Sequence, residues 1–534
     1  MVNAEQTTQE LPPPSTAVLW HEGVNHAGFP SLRGTREADV VVVGAGIVGL
    51  LTAWHLNKAG LDVVVLESHR VGRQATGAST AKVTALHGLI YADLIARFGI
   101  ERARLYAEAN QWGVDFIAGL ADHLGDFGLR RTDAFTYATD ARTAAAVERE
   151  AEAAAQVGLA ADVVHNTELP FPVPAAVRLT GQAEIHPVRL LLLLADHLVA
   201  QGVALHETSR VVAVEDGPSA RVRTDGGASV SAAHVVIASH LPFTLRGGYF
   251  AKCTPRRRAA LSVLIDGPRL NGLYKSAGEP GRSVRGVANP PPDAAPNPGE
   301  VSRLVAIGGA FEPGAADEES HFRHLEDWLG RYFTVREVTH RWGNMDYHSA
   351  DGVPYVGRLH RLSTSLWTAT GFGAWGLSNG AAAARMLAES IVGRRNPWLG
   401  FFDSTRISGT GGLGPMLKRN LHVGQMWVGR LRPSPREEGA ALAPGDGRVV
   451  RRGGRKVGLA RDAAGALHAV SAICPHMGCV LAWNGVEHSW DCPCHGSRFA
   501  IDGCLLHGPA VKDLETLASD GETEGDGTSK STQS

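Results

Sequence analysis

Buried-strand and helix patterns alternate where the ordered part of the chain begins. The run from Asp39 to Val43 is almost entirely valine, as expected of a strand buried on both faces of a parallel sheet. A helical pattern follows from Ile47 to Ala59, and a second buried strand from Leu61 to Leu66. This order predicts a strand–helix–strand unit, which is typical of an α/β domain.

The pattern continues through the middle of the chain and changes near its C-terminal end. Residues 92–124 and 141–157 have the Ala-, Leu- and Glu-rich composition of helices, and residues 211–239 alternate as short strands. From Val449 onward the sequence predicts only short β segments. The longest apolar run, Leu190–Ala195, is much shorter than the ~20 residues that cross a bilayer. We therefore expect no membrane span and a cytoplasmic protein.

Composition along the chain marks the domain boundaries. Residues 1–37 are polar and proline-rich and are predicted to form an irregular leader. A stretch rich in glycine and proline at 407–444, with a helical pattern at Met416–Arg430, is predicted to link a domain at 38–406 to a smaller one at 445–516. Residues 517–534 are mostly Gly, Ser, Thr, Asp and Glu and are predicted to be disordered.

Overall composition adds two constraints on function. The formal net charge of −2 over 534 residues gives no electrostatic reason to bind nucleic acid or an anionic membrane. Six cysteines are too few for a disulfide scaffold, and five of them fall between residues 474 and 504. This clustering indicates ligand chemistry near the C-terminal end.

The glycines after the first strand form a dinucleotide-binding motif. Gly44, Gly46 and Gly49 have G-x-G-x-x-G spacing between the predicted strand and helix. They permit, in order, the tight turn, the approach of backbone amides to a pyrophosphate, and close packing of the helix on the strand. Glu67 lies 23 residues after Gly44, where a carboxylate accepts hydrogen bonds from ribose hydroxyls. These residues alone leave open a ligand-free turn and the choice between FAD and NAD.

Four further segments resemble the D-amino-acid oxidase (DAO-type) superfamily of FAD-dependent oxidoreductases. They are Gly72–Lys82, Val235–Ser239, Asp351–Gly357 and Thr370–Gly376, and the resemblance covers roughly residues 38–400. It implies an α/β Rossmann-like FAD-binding domain, from about 38–90, 181–250 and 336–406, and a mixed-sheet α+β substrate domain, from about 91–180 and 251–335. The implied FAD-binding residues are Gly44, Gly46, Gly49, Glu67, Arg73, Ser79, Thr80, Gly371, Phe372, Gly373 and Gly376.

In some members of this superfamily FAD is linked to a cysteine or a histidine. The region Trp342–Tyr347 contains no cysteine, and Ala81 and Lys82 stand where other members have the histidine. We therefore expect non-covalent FAD.

The resemblance implies oxidation of a C–N bond by hydride transfer to the flavin, which requires no strong protein base. A substrate site then needs a cation for a carboxylate and aromatic walls. We predict that Arg285, Tyr274, Tyr347 and Trp375 supply these groups, although each residue also fits a packing or surface role. His348, near a Pro/Gly turn, is interpreted as structural.

The C-terminal cysteines have the spacing of an iron–sulfur site. Cys474-x-His476 and Cys492-x-x-His495, with 15 residues between His476 and Cys492, supply two thiolates and two imidazoles on separate loops. This set suits a Rieske [2Fe–2S] cluster, in which the cysteine pair holds one iron and the histidine pair the other. A Cys2His2 zinc site uses the same ligand types, but does not require Gly478, a second cysteine in each loop, or the Gly-Ser after His495.

Residues 445–516 resemble the small all-β Rieske domain of cytochrome bc-type complexes. The resemblance implies a disulfide between Cys479 and Cys494, a loop at His507–Ala510 that covers the cluster, and a Ser497 hydroxyl bonded to a bridging sulfide. Phe499 replaces a frequent tyrosine, so one hydrogen bond to a ligand sulfur is lost and we expect a lower potential than in quinol-oxidising members. Cys253 and Cys504 match no ligand position and are predicted to be packing residues.

Together these features predict an FAD-dependent oxidoreductase that oxidises an amine or amino-acid-like substrate. Its electrons would pass singly through the cluster to an external one-electron carrier or quinone. Two alternatives remain: a reductase in which the cluster supplies electrons to FAD, and a redox sensor or carrier without turnover. The substrate, the acceptor and the oligomeric state do not follow from the sequence.

Overall fold

The computed structural model describes residues 15–287, 301–315, 317–406 and 442–518. The chain divides into two compact units, one comprising residues up to 313 and 317–424, the other comprising 314–316 and 425–534. The predicted linker helix at Met416–Arg430, the first 14 residues of the predicted leader and the predicted tail from residue 519 lie outside the described residues.

The helices of the first unit are, in chain order, α1 Ile47–Lys58, α2 Tyr91–Phe98, α3 Ile100–Gly119, α4 Ala121–Leu124, α5 Ala141–Gln156, α6 Pro187–Ala200, α7 Tyr249–Lys252, α8 Glu318–Tyr332, α9 Ser378–Ile391 and α10 Leu399–Phe402, with 3₁₀ turns at Leu19–His21 and Arg246–Gly248. The single helix expected over residues 92–124 is three helices, because Gly99 has a left-handed φ of 82° between α2 and α3 and the chain turns again between α3 and α4. None of the helices in the described ranges has the length and hydrophobicity needed to cross a bilayer.

The strands of the first unit are β1 Thr35–Val43, β2 Val63–Leu66, β3 Lys82–Val83, β4 Arg130–Tyr137, β5 Ala161–Val164, β6 Ala176–Glu184, β7 Ala204–His206, β8 Val211–Glu215, β9 Ala220–Thr224, β10 Ser229–Ile237, β11 Cys253–Asp266, β12 Leu273–Ser276, β13 Ser283–Val287, β14 Val301–Phe311, β15 Thr334–Ser349, β16 Tyr355–Arg358 and β17 Leu366–Thr370. Those of the second unit are β18 Gly447–Arg452, β19 Arg455–Arg461, β20 Leu467–Ser471, β21 Ala482–Asn484, β22 Ser489–Asp491, β23 Arg498–Ala500 and β24 Leu505–His507. β1 begins two residues before the predicted end of the leader.

The first sheet has the order β16-β17-β10-β1-β2-β7, and β8 and β9 extend it from β10. β17, β10, β1, β2 and β7 are parallel. Helices α1, α6 and α9 pack together on one face, and apolar residues of β8 and β9 join the core on the other. Burial on both faces accounts for the valine run of β1. This sheet is the predicted α/β Rossmann-like domain.

The second sheet is mixed and has the order β15-β11-β14-β13-β12-β4-β6-β3, with β5 beside β6. The β12–β4 pair is parallel, whereas β11 is antiparallel to both β14 and β15. Helix α8 covers β11, β14 and β15. The sheet also includes β3, the end of β6 and most of β15, which the predicted ranges assign to the FAD-binding part.

The second unit contains two small antiparallel sheets. The first has the order β18-β19-β20 and the second the order β21-β22-β23-β24. No helix lies among residues 442–518. The predicted small all-β domain is therefore confirmed.

Replacement of Gly49 tests the close packing of α1 against the loop that precedes it. A Cβ at Gly49 would lie 1.8 Å from the carbonyl oxygen of Gly44, so we expect Gly49→Ala to lower the free energy of unfolding by about 1–3 kcal/mol. The control is Gly119→Ala at the end of α3, where a Cβ meets no atom within 4 Å. Calorimetry that showed equal unfolding temperatures for the two variants would contradict this packing.

Candidate functional site

The glycine loop after β1 leaves room for a ligand in front of α1. A Cβ at Gly44 would lie 2.6 Å from the carbonyl oxygen of Ala238, whereas one at Gly46 would meet only the Thr76 hydroxyl at 3.4 Å. Gly46 is the N-cap of α1 and contributes no side-chain cap. The Ile47 amide donates to the Thr76 hydroxyl at 3.3 Å. No side chain of the N-cap covers the amides that follow it, as a pyrophosphate site requires.

Glu67 lies at the end of β2, beside this loop. It is buried, and its Oε2 atom accepts a hydrogen bond of 2.8 Å from the Ala45 amide. Its Oε1 atom accepts hydrogen bonds from Ser68 and His69. Because a carboxylate has about four acceptor positions and three are used, Glu67 retains capacity for one ribose hydroxyl. These residues fit the adenosine end of FAD.

The segment around Ser79 is fixed by hydrogen bonds to its backbone carbonyls. The Trp20 indole donates to Ser79 O at 2.7 Å, the Trp342 indole to Ala78 O at 2.9 Å, and Arg285 Nε to Thr80 O at 2.6 Å. Trp20 comes from the predicted leader, so this part of the leader helps to hold the segment. The Arg73 amide closes a turn on Arg70 O.

The loop from Gly371 to Gly376 connects β17 to α9 and lies against the end of β15. Gly371 and Gly373 have left-handed φ values of 81° and 59°, and so does Ala374, at 73°. The Gly373 amide donates to Tyr347 O at 2.9 Å, and Phe372 forms a bridge with His348. This loop, which contains four of the implied FAD-binding residues, is thus joined to the second sheet.

The structure does not bring the four predicted substrate residues together. Tyr274 stacks on Phe135, and its hydroxyl donates to Glu168 at 3.1 Å. Tyr347 is fully buried in the core beneath the first sheet. Side chains alternate along a strand, so the neighbours Lys275 and His348 point to the opposite face. Trp375 stacks on His87, with ring centroids 4.6 Å apart.

Arg285 is committed to structural contacts. Its Nη1 atom lies 3.0 Å from Glu184 Oε2, and its other hydrogen bonds go to the carbonyls of Thr80, Ile185 and Gly286. These contacts occupy four of the five N–H groups of a guanidinium. Arg285 therefore offers a substrate carboxylate no bidentate contact.

Three other cations on the second sheet lie near the Gly371–Gly376 loop. Lys82 Nζ is 6.0 Å from the centroid of the Trp375 ring, and the charges of Arg258 and Lys275 act on His348, which lies against Gly373. Burial, and then the charges of Lys275, Arg285 and Arg258, lower the pKa of Lys82 well below its usual range. Burial and the charge of Arg258 lower the pKa of Lys275 to about 8. Within the described ranges none of the three forms an ion pair, and Arg258 Nε is buried with no hydrogen-bond partner. We name these residues the cation group.

Two histidines lie beside the cation group. Burial lowers the pKa of His348 to about 4, an effect that Asp346 opposes and Arg258 strengthens. Its Nε2 atom is buried and has no hydrogen-bond partner in the described part of the chain. Burial also lowers the pKa of His87 to about 3, and its Nδ1 lies 2.7 Å from the Tyr106 hydroxyl. Both imidazoles are neutral at pH 7.

In the second unit, two loops bring the predicted cluster ligands together. Cys474 and Cys492 are buried free thiols, one on each loop. The rings of His476 and His495 lie 5.1 Å apart at 86°. Each loop closes on itself, through Gly478 N to Cys474 O and Gly496 N to Cys492 O.

The surroundings of these loops fit a Rieske cluster. His476 Nδ1 is buried and lacks a partner among the residues described, as expected of an atom that ligates a metal. Cys479 and Cys494 form a disulfide between the loops, with Cα atoms 6.5 Å apart. The buried Ser497 hydroxyl accepts the Ala510 amide at 3.0 Å, which joins the loop at His507–Ala510 to the site.

The remaining cysteines differ from each other. Cys253 is buried, as predicted for a packing residue, and burial raises the pKa of its thiol to about 12. Cys504 is exposed, so its interpretation as a packing residue is wrong. Its sulfur lies 3.4 Å from Asp502 on the surface.

A family model described as FAD dependent oxidoreductase (DAO) matches residues 39–390. The chain belongs to this family. A Rieske [2Fe-2S] domain model matches residues 437–518. This FAD-dependent oxidoreductase therefore uses FAD and a Rieske-type [2Fe–2S] cluster as cofactors, and the predicted family, fold class and cofactors are confirmed.

The chain is similar to two further proteins in sequence and to one solved structure in fold. It is 30% identical over 503 residues to the Rieske 2Fe-2S iron-sulfur protein YhfW of Bacillus subtilis, covering 93% of this chain and 97% of that one. Over 57 residues it is 42% identical to the cytochrome b6-f complex iron-sulfur subunit of Synechococcus, 11% of this chain and 33% of that one. The glycine oxidase structure from Geobacillus kaustophilus has a TM-score of 0.55 at 19% identity, covering 70% of this chain and all of that one.

Two residues of the candidate site, Arg258 and Lys275, were not singled out in the sequence, and a third, His348, was interpreted as structural. A signal existed for Arg258, because three consecutive arginines, 256–258, precede the apolar residues of one strand. Lys275 and His348 each follow a tyrosine that was chosen instead, and nothing local shows which of two neighbours on a strand faces the ligand. Only the register of the sheet decides this.

Replacement of Phe499 tests the potential expected for the cluster. Phe499 is fully buried on β23, opposite Trp490. A hydroxyl that donates to a ligand sulfur stabilises the reduced, more negative form, so we expect Phe499→Tyr to raise the potential. A net hydrogen bond of about 1 kcal/mol corresponds to about 40 mV for one electron. Redox titration followed by EPR measures it, with Phe499→Leu as the apolar control. A potential equal to that of quinol-oxidising Rieske proteins in the unchanged protein would contradict the expectation.

Proposed function

We propose that the protein oxidises an amine or amino acid at FAD and passes the electrons singly through the Rieske cluster to an external carrier or quinone. The observation that carries the proposal is the cation group beside the Gly371–Gly376 loop, on a chain that also has the cluster loops. A cationic, partly aromatic site suits the carboxylate of an amino acid. The first unit shares its fold with glycine oxidase, a protein named for the oxidation of an amino acid, and this likeness supports oxidation of a C–N bond.

The proposed FAD site consists of the glycine loop, Glu67, the Arg73–Thr80 segment and the Gly371–Gly376 loop. Non-covalent binding remains our expectation. Cys474, His476, Cys492 and His495 would hold the [2Fe–2S] cluster, and the Cys479–Cys494 disulfide would brace its two loops. When bound, FAD accepts a hydride and the cluster carries one electron at a time.

The residues of the chain would bind and orient the substrate. Arg258 and Lys275 replace Arg285 as the proposed carboxylate-binding cations. The neutral His348 accepts a hydrogen bond from the substrate amine at its unpartnered Nε2. Trp375, stacked on His87, forms an aromatic wall and excludes water. Together these contacts would present the C–H bond next to nitrogen to the flavin.

A reductase that runs in the opposite direction remains the second candidate, because the fold of the second unit does not decide the direction of electron flow. The cytoplasmic location stays a prediction. So does the identity of the external acceptor.

Anaerobic mixing with a panel of amines and amino acids tests the proposal. We expect one of them to bleach the flavin absorption, followed by the EPR signal of a reduced Rieske cluster. In Cys492→Ser the substrate should still bleach the flavin, but turnover with a one-electron acceptor should be lost. Cys504→Ser, which removes an exposed thiol, is the matched control and should behave like the unchanged protein.

Failure of every amine and amino acid to bleach the flavin would contradict the proposal. Reduction of the cluster by an external donor, followed by the flavin, would then favour the reductase.

A further inference from the structure

The cation group is unusual because no acid among the described residues forms an ion pair with its three charges, although Asp346 and Glu279 lie near Arg258. Lys275 on β12 pairs with Ser283, Ser283 with Ile307, and Ile307 with Ala260 on β11. Cross-strand partners share a face, so Lys275 is level with Ala260. Arg258 lies two residues further along β11.

We propose that this face binds a substrate with two acidic groups, an amino dicarboxylic acid, with one carboxylate on Arg258 and the other on Lys275. The inference rests on the proposed function, in that the same site then presents the amine to the flavin. It goes beyond that function because a simple amino acid needs only one carboxylate-binding cation.

The acids that face these cations already have partners. Asp346, on β15, lies opposite Arg256 of β11. It accepts a hydrogen bond from the Tyr347 amide at 2.9 Å and lies 3.5 Å from His240 Nε2. Glu279 accepts the Gly281 amide at 3.0 Å. Neither forms an ion pair with Arg258 or Lys275 within the described residues, so no internal carboxylate occupies the position of the ligand.

Nearby cations elsewhere on the sheet are neutralised. Glu184 binds Arg285 at 3.0 Å and Arg130 at 2.9 Å, and it also contacts Arg269. Arg257, the residue before Arg258, points to the other face and lies 2.8 Å from Glu318. The fold therefore pairs these arginines with acids, and it leaves Arg258 and Lys275 without an ion pair among the described residues.

The positions of Arg258 and Lys275 favour two anions over one. In the order β11-β14-β13-β12 the two strands are three steps apart, or roughly 14 Å at ~4.8 Å a step. Side chains from strands this far apart approach a ligand from opposite sides. Lys82 is the third member of the cation group, but its amine already donates a hydrogen bond to Ser283, on the strand next to that of Lys275. A ligand with two separated carboxylates satisfies both free cations.

The lowered pKa of Lys275, about 8, agrees with this geometry. Burial and the charge of Arg258 destabilise the protonated form of Lys275, and a bound carboxylate would stabilise that form again.

The test measures binding of amine-free acids to the FAD-loaded protein, followed by flavin absorption and by calorimetry. The probes are glutarate, with two carboxylates, and butyrate, with one. We expect glutarate to bind at least about 10-fold more tightly, because it adds one charge-assisted contact. Lys275→Gln and Arg258→Gln should each weaken glutarate binding about 10- to 100-fold and abolish its advantage over butyrate.

Arg336→Gln is the matched control. It removes one positive charge from the same sheet, but Arg336 is exposed, pairs with Asp266 and lies twelve residues from His348 along β15. It should leave both affinities unchanged. Should Arg258→Gln fail to fold, Arg258→Lys keeps the charge and loses the bidentate fork, and Lys275→Gln decides the outcome.

Equal binding of glutarate and butyrate, or an unchanged preference in both glutamine variants, would overturn the inference. So would tight binding of inorganic phosphate without any preference for glutarate, which would indicate a phosphorylated ligand. A preference for glutarate in a protein whose flavin no amine reduces would support the dicarboxylate site and contradict the proposed oxidation. Reduction of the flavin by monocarboxylic amino acids, in a protein that shows no preference for glutarate, would support the proposed oxidation and contradict the dicarboxylate site.

Discussion

A buried charge is stable only when a counter-charge or a polar ligand accompanies it, and the second sheet depends on this rule. Glu184 holds three arginines and Glu318 holds Arg257, so most of the buried cations have acids within the fold. Arg258 and Lys275 form no ion pair with an acid among the residues described. The buried cations in the core of the sheet therefore have counter-charges, whereas those on the face that meets the Gly371–Gly376 loop do not form ion pairs among the described residues. Under the proposal, the acidic groups of the substrate supply the missing counter-charges.

Features that rest on local spacing could be predicted from the sequence. The turn at Gly44 and the close packing at Gly49 follow from backbone geometry, and the ligands Cys474 to His495 come from two short loops with characteristic spacing. The valine run of β1 indicates burial on both faces without reference to the rest of the chain. Each of these signals lies within a few residues.

The substrate side could not be predicted in the same way, because it depends on long-range register. A shift of one residue along a strand exchanges its two faces, and the chosen Tyr274 and Tyr347 stand one position from Lys275 and His348. The role of Arg285 depends on Glu184, about one hundred residues earlier. No local pattern reveals that an acid neutralises one arginine and leaves another free.

The central claim is that Arg258 and Lys275 bind the acidic groups of the substrate on the flavin side of the second sheet. A crystal structure of the protein with FAD and glutarate tests it most directly. The account predicts one carboxylate on Arg258, the other on Lys275, and the chain of the ligand between them beside Trp375. Glutarate bound elsewhere, or a carboxylate of the protein itself bound to either cation, would contradict it.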